Sequence, residues 1–112
     1  MIKLIDFKKN AISIFWKTTL VGRTLKLVDT SFIDDFATQY LLDHYKIENK
    51  DIIELSYGVN NTFEIDERVQ KILSELNQNV DENSEEWNTE KRKWRFLVLQ
   101  ELLSKSYHLK IF

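Results

Sequence analysis

Cysteine and proline are absent from this sequence, and its 112 residues include only two glycines, Gly22 and Gly58. Without cysteine there are no disulfides, no thiolate metal ligands and no thiol nucleophile, and nothing marks an oxidising compartment. Without proline, and with so little glycine, few positions break a helix, which favours long helices over a turn-rich sheet sandwich. Two glycines could scarcely build a phosphate-cradling loop or a dinucleotide fingerprint, and no nucleophile elbow is present. The first residues lack the apolar core and small-residue cleavage site of a signal peptide. No apolar run approaches the roughly 18 residues of a membrane span. The expected location is the cytoplasm, with no membrane association.

Hydrophobic residues at 43% and charged residues at 30% give a globular rather than a disordered composition. A single helical domain over residues 1–112 is expected, because a chain of this length has material for one core. The net charge is only −2, but the charges are segregated. Residues 34–86 hold fourteen Asp and Glu against four Lys and Arg, a balance of −10, while 1–33 and 87–112 each hold six basic against two acidic residues. Either the basic ends pack on the acidic middle and neutralise it, or the middle faces a cationic partner.

Apolar periodicity places about five helices. Asp6 caps a first helix carrying Phe7, Ala11, Ile12, Phe15, Trp16 and Leu20, which Gly22 ends as a left-handed cap. Thr24 to Val28 alternates and reads either as a short strand or as an extended connection. Ser31 with Asp34 resembles a capping box for a helix whose Phe32, Ile33, Phe36, Ala37, Tyr40 and Leu41 share a face. Asn49 caps a shorter helix through Ile52, Ile53 and Leu55 to Gly58, and Val59-Asn60-Asn61-Thr62 reads as a turn. Thr62 caps the next helix, with Ile65, Val69, Ile72, Leu73 and Leu76 on one side. A polar loop, Asn77 to Ser84, leads to the longest helix, from about Ser84 to Lys105, with Asn83 and Glu86 as its N-cap pair. Its C-terminal half, Phe96 to Leu103, is apolar nearly all round, which predicts a place at the centre of a bundle. The tail from Tyr107 to Phe112 either packs across the body or frays.

Candidate sites are few. His44 and Glu48 have the spacing of two metal ligands on a helix, but no third ligand lies near, and the other histidine, His108, is in the tail. No metal or other cofactor is expected, and no pair of carboxylates is marked out for acid and base work, so the expectation is not an enzyme. Lys91-Arg92-Lys93-Trp94-Arg95 suggests nucleic-acid binding through phosphate contacts and stacking. On a helix, though, Trp94 shares a face with Leu97 and Val98 while Arg92 and Arg95 lie on another, so core anchoring explains the run more simply. Asp34, Asp35, Asp43, Glu48, Asp51 and Glu54, from two consecutive helices, form a candidate partner-binding face for a basic groove. Asp81, Glu82, Glu85 and Glu86 precede Trp87, either a binding anchor or a half-buried core residue.

The run Gly22-Arg23-Thr24-Leu25 through Phe32-Ile33-Asp34-Asp35-Phe36-Ala37, then Tyr40-Leu41-Leu42 and Asp51-Ile52-Ile53-Glu54-Leu55, resembles a family of small helical bacterial proteins of unknown function. Lys93-Trp94-Arg95-Phe96-Leu97 is similar to the second block of that family. The resemblance implies an immunity protein of bacterial competition, encoded beside a polymorphic toxin that it inhibits by protein–protein interaction. Family members run on beyond the second block into a further acidic helical segment, so a partner surface carried there would be missing from this sequence. Charge pattern and resemblance together predict an all-α domain that occludes the cationic site of a cognate toxin, a nuclease by expectation, with an acidic helical face. The alternatives are a nucleic-acid-binding or regulatory protein using residues 91–95 and a phage-type inhibitor of a host defence protein.

Overall fold

A computed structural model describes residues 2–58 and 61–111, with side chains described as far as Lys105. Six helices account for the architecture: α1 (Leu4–Lys9), α2 (Trp16–Thr24), α3 (Thr30–Asp43), α4 (Lys50–Ser56), α5 (Thr62–Glu75) and α6 (Glu85–Ile111). There is no strand among the described residues. In chain order α3 packs on α4 and α4 on α5, while α2 lies between α5 and α6, and α1 leans on α3.

The first expected helix is in fact two. α1 ends at Lys9 with Ala11 in the left-handed region (φ 54°), where Ile12 N donates to Phe7 O at 2.9 Å and Ala11 N to Lys8 O at 3.2 Å. This double closure is a Schellman cap, and it occurs again where Thr24 to Val28 was read as extended. There Lys26 takes φ 60°, Leu27 N donates to Gly22 O at 2.9 Å, and Lys26 N to Arg23 O at 3.0 Å. The segment is a helix terminator rather than a strand, and Gly22 lies inside α2 instead of ending it. α5 closes the same way through Asn77 (φ 54°), Gln78 N donating to Leu73 O at 2.8 Å. Gly58, where the shorter helix was read to end, sits at φ 90° in the left-handed region just past the C-cap of α4.

Asp6, expected to cap the first helix, lies inside α1 and accepts from Lys3 N at 2.8 Å, Lys3 being the N-cap; three further expected N-caps move by one or two residues. Asp29 rather than Ser31 caps α3: its carboxylate accepts from Phe32 N at 2.9 Å, and Ser31 Oγ donates to it at 2.9 Å. The Phe32 hydrogen bond holds the Asp29 carboxyl below its ordinary value. Asn61 rather than Thr62 caps α5, accepting from Phe63 N at 3.0 Å. Ser84 rather than Asn83 opens α6, its Oγ accepting from Trp87 N at 3.1 Å while Asn83 sits at φ 67°. Asn49 caps α4 as read, accepting from Ile52 N at 3.1 Å. The Val59-Asn60 part of the predicted turn and the side chains of the tail, His108 included, lie outside the described residues.

One cluster of buried apolar side chains connects all six helices, with Phe7, Trp16, Val21, Ile33, Ile52, Leu55, Ile65, Val69, Leu73 and Trp94 fully or almost fully enclosed. Its centre is aromatic: Trp94 meets Phe7 edge-on at 4.9 Å between ring centroids, and Trp16 meets Phe36 at 4.7 Å. Such pairs contribute roughly 1 kcal/mol each beyond the area they bury. The indole of Trp94 lies directly on α2. A Cβ at Gly22 would come within 2.5 Å of Val28 Cγ2 and 2.6 Å of Trp94 Cε2, so glycine serves here as the floor on which the indole rests.

Candidate functional site

The six acidic residues proposed as one face occupy several places. On α3, Asp35 and Asp43 stand two turns apart on the edge facing α1. Asp35 borders a recess with Ile2, Lys3 and Asp29, and Asp43 accepts from Gln39 Nε2 at 3.1 Å beside a groove lined by Leu4, Ile12 and Ile14. Asp34 turns the other way, towards the turn after α4; a Cβ on Gly58 would lie 3.5 Å from its Oδ2. It is half-buried, and its Oδ1 has no hydrogen-bond partner. Desolvation, reinforced by the charges of Asp35 and Asp29, raises its carboxyl above the ordinary value. Glu48 is exposed in the connection between α3 and α4.

Asp51 and Glu54 come together, one turn apart on α4, and a third carboxylate joins them from α5. Arg68 Nη1 contacts Asp51 Oδ1 at 3.0 Å, its Nη2 contacts Glu64 Oε1 at 2.9 Å, and Glu54 pairs with the same Nη2. The hydrogen bond to Glu64, with the charges of Glu54, Glu64 and Asp51, holds the guanidinium in its protonated form more firmly than usual. Three carboxylates around one cation leave two negative charges in excess on a helix pair that the core fixes in place. Glu64 contributes because α4 and α5 pack side by side; sequence spacing, which led to the α3–α4 set, could not show that neighbour. Glu67 is exposed one turn further along α5, while Asp66 is paired with Arg23 at 2.9 Å.

The tryptophans are structural. Trp87 is 6% exposed and belongs to the core, so its ring offers a partner no surface. Trp94 is wholly buried, with Nε1 donating to Thr18 O at 2.9 Å. Its neighbour Lys93 is also taken up internally, donating to Ser13 O at 2.9 Å and to Glu90 Oε1 at 3.0 Å, with its ammonium 4.7 Å from the Phe15 ring centroid. Glu90, 1% exposed, also accepts from Thr18 Oγ1, so a buried carboxylate joins α6, α2 and the connection after α1. Such a buried ion needs all these partners to offset its desolvation. The stacking platform that residues 91–95 would need for nucleic acid is therefore inside the protein.

The C-terminal half of α6 departs from expectation. Among its described leucines only Leu97 is buried, whereas Phe96, Leu99, Leu102 and Leu103 are 50%, 58%, 57% and 68% exposed. Helices α1 and α2 cover one side of α6, and no described element covers the other. On that open side Leu25 and Leu27, held out by the Lys26 turn, border a depression of about 480 Å³ with Val98, Leu99, Lys91 and Arg95. The signal was in the sequence as an over-apolar helix; the side left bare depends on its neighbours.

At the C-cap of α3, His44 stacks on Tyr40 with ring centroids 4.1 Å apart and its Nδ1 is 3.0 Å from Tyr40 O. Among the described residues no three His, Cys, Asp or Glu side chains are grouped as a metal site, and no helix is long and apolar enough to cross a membrane. No curated protein and no solved structure matches the chain. A bacterial family does match, over residues 4–109, and the chain accordingly belongs to DUF2247, a family of uncharacterized proteins conserved in bacteria.

Proposed function

We propose that this protein works by stoichiometric binding rather than catalysis, as an immunity-type protein that occludes the cationic site of a cognate bacterial toxin, a nuclease being the expected class. The observation that carries the reading is the excess of carboxylates held around Arg68 by α4 and α5. An inhibitor of a phosphate-binding cleft must present negative charge that is already in place. Carboxylates fixed on packed helices meet that need with little ordering cost and speed encounter with a basic partner. Relative to the six residues first considered, the face narrows to Asp51 and Glu54 and extends to Glu64 and Glu67, while Asp34, Asp35, Asp43 and Glu48 lie at its margins or beyond.

Calorimetry against the C-terminal domain of the protein encoded by the gene immediately upstream tests the reading. Tight one-to-one binding is expected, weakened at least roughly tenfold by Glu54→Lys with Glu64→Lys, the cost of removing charges that a cationic interface uses. Unchanged affinity in a folded double variant rejects the acidic face, and absence of heat between two folded proteins rejects neutralisation of that partner. The rival nucleic-acid reading would rest on Lys91, Arg92 and Arg95 alone, with affinity falling steeply with salt.

A further inference from the structure

The uncovered side of α6 carries two chemistries in sequence. At its N-terminal end stand Lys91, Arg92 and Arg95, none of which has an ion-pair partner among the described residues. One to three turns further on, the same side presents Leu99, Leu102 and Leu103, each more than half exposed. With 100° per residue, Lys91, Arg95, Val98, Leu99 and Leu102 fall within about a third of the helix circumference. Leu25 and Leu27 border one side of this strip and turn it into a notch, whose lining holds two cations and no carboxylate. Contiguous exposed apolar surface of this kind is uncommon on a monomeric protein and marks an interaction site.

We infer that this notch is a docking site for an amphipathic, acidic segment of a partner protein, a short helix whose leucine-type side chains fill the space between Leu25, Leu27, Val98 and Leu99 and whose carboxylates reach Lys91 and Arg95. Helix-in-groove recognition works in this way, with apolar anchors at one-turn spacing supplying affinity and rim charges supplying orientation. Charge selects the occupant. A second copy of this chain would bring the same cations and no answering carboxylate from that face. A bilayer would meet a convex helix, whereas here the turn at Lys26 raises two leucines beside the strip and makes it concave. The site is on a different surface from the carboxylates around Arg68, and the inference stands independently of the toxin reading.

The test is an NMR titration of the full isotope-labelled chain with a synthetic amphipathic helical peptide of about four turns, leucines on one face and glutamates on the other, and with its lysine-for-glutamate counterpart. Saturable shifts of the amides of Leu25, Leu27, Val98 and Leu99 with the glutamate peptide alone are expected. Leu99→Ser and Arg95→Glu should each weaken that binding at least roughly tenfold, as loss of a central anchor does. Both residues are exposed, and an unchanged thermal melt shows that the variants fold. The inference is overturned by equal binding of the lysine peptide, by shifts that miss these residues, or by no shifts. It is also overturned by a sedimenting dimer that Leu99→Ser returns to monomer, or by binding of phosphatidylglycerol vesicles through this face in place of the peptide. A chain that binds the peptide but not the toxin domain, or the reverse, separates this inference from the proposed function.

Discussion

Gly22 illustrates how a single position can be read for the wrong property. Its freedom at positive φ suggested a helix end, whereas what the fold uses is its missing side chain, because the buried indole of Trp94 occupies that volume. Gly22→Ala is therefore expected to lower stability by about 3 kcal/mol, at the upper end for overpacking a rigid core, despite alanine's better helix propensity. Denaturant unfolding followed by tryptophan fluorescence measures it. Asp34 supplies a second prediction, with an unusual sign. Its carboxyl is raised by burial, so the folded chain holds that proton to higher pH than the unfolded chain. The ionised group therefore opposes folding above its raised pKa, and the penalty fades as pH falls through that value and below the ordinary 3.8. Asp34→Asn should raise the melting temperature near neutral pH and change it little in acid; equal effects at both would show that the charge is not the cause.

At the scale of elements, the starts of α3 to α6 were legible to within two residues because Asn, Asp and Ser caps act through their own side chains, and Asn49 caps α4 where read. By contrast, α1 and α2 start at Lys3 and Phe15 without a side-chain cap. The ends of α1 and α2 were not legible, because their Schellman caps form on Ala11 and Lys26 rather than on glycine, whereas Gly58 marked the end of α4 and Asn77 that of α5. A left-handed alanine or lysine leaves no sign in the sequence; it is held by hydrogen bonds such as that from Leu27 N to Gly22 O and by the packing of α1 and α2 against different neighbours. Since a non-glycine residue at this position carries backbone strain, Lys26→Gly is expected to stabilise by about 0.5–1 kcal/mol. A thermal melt checks it, and because Lys26 is exposed, any loss would point to a role for its side chain.

For the molecule as a whole, the expectation that an over-apolar helix takes the centre was misplaced. α2, with Trp16, Thr18, Thr19, Val21 and Gly22 all buried between α5 and α6, holds that place, and α6 flanks it with one side bare. Charge segregation persists in three dimensions only locally. Arg23 reaches Asp66, so the basic N-terminal third does neutralise part of the acidic middle, while the carboxylates around Arg68 stay in excess. The sequence by itself determined the helical class, the apolar faces of α3 and α5, most N-cap neighbourhoods and the imbalance of charge, because these follow from composition and from periodicity within one element. The tertiary structure alone decided that Glu64 joins Asp51 and Glu54, that Trp87 is core, and that Leu99 faces solvent. Periodicity fixes which side chains share a side of a helix, but only the packing of one helix on another settles which side is covered.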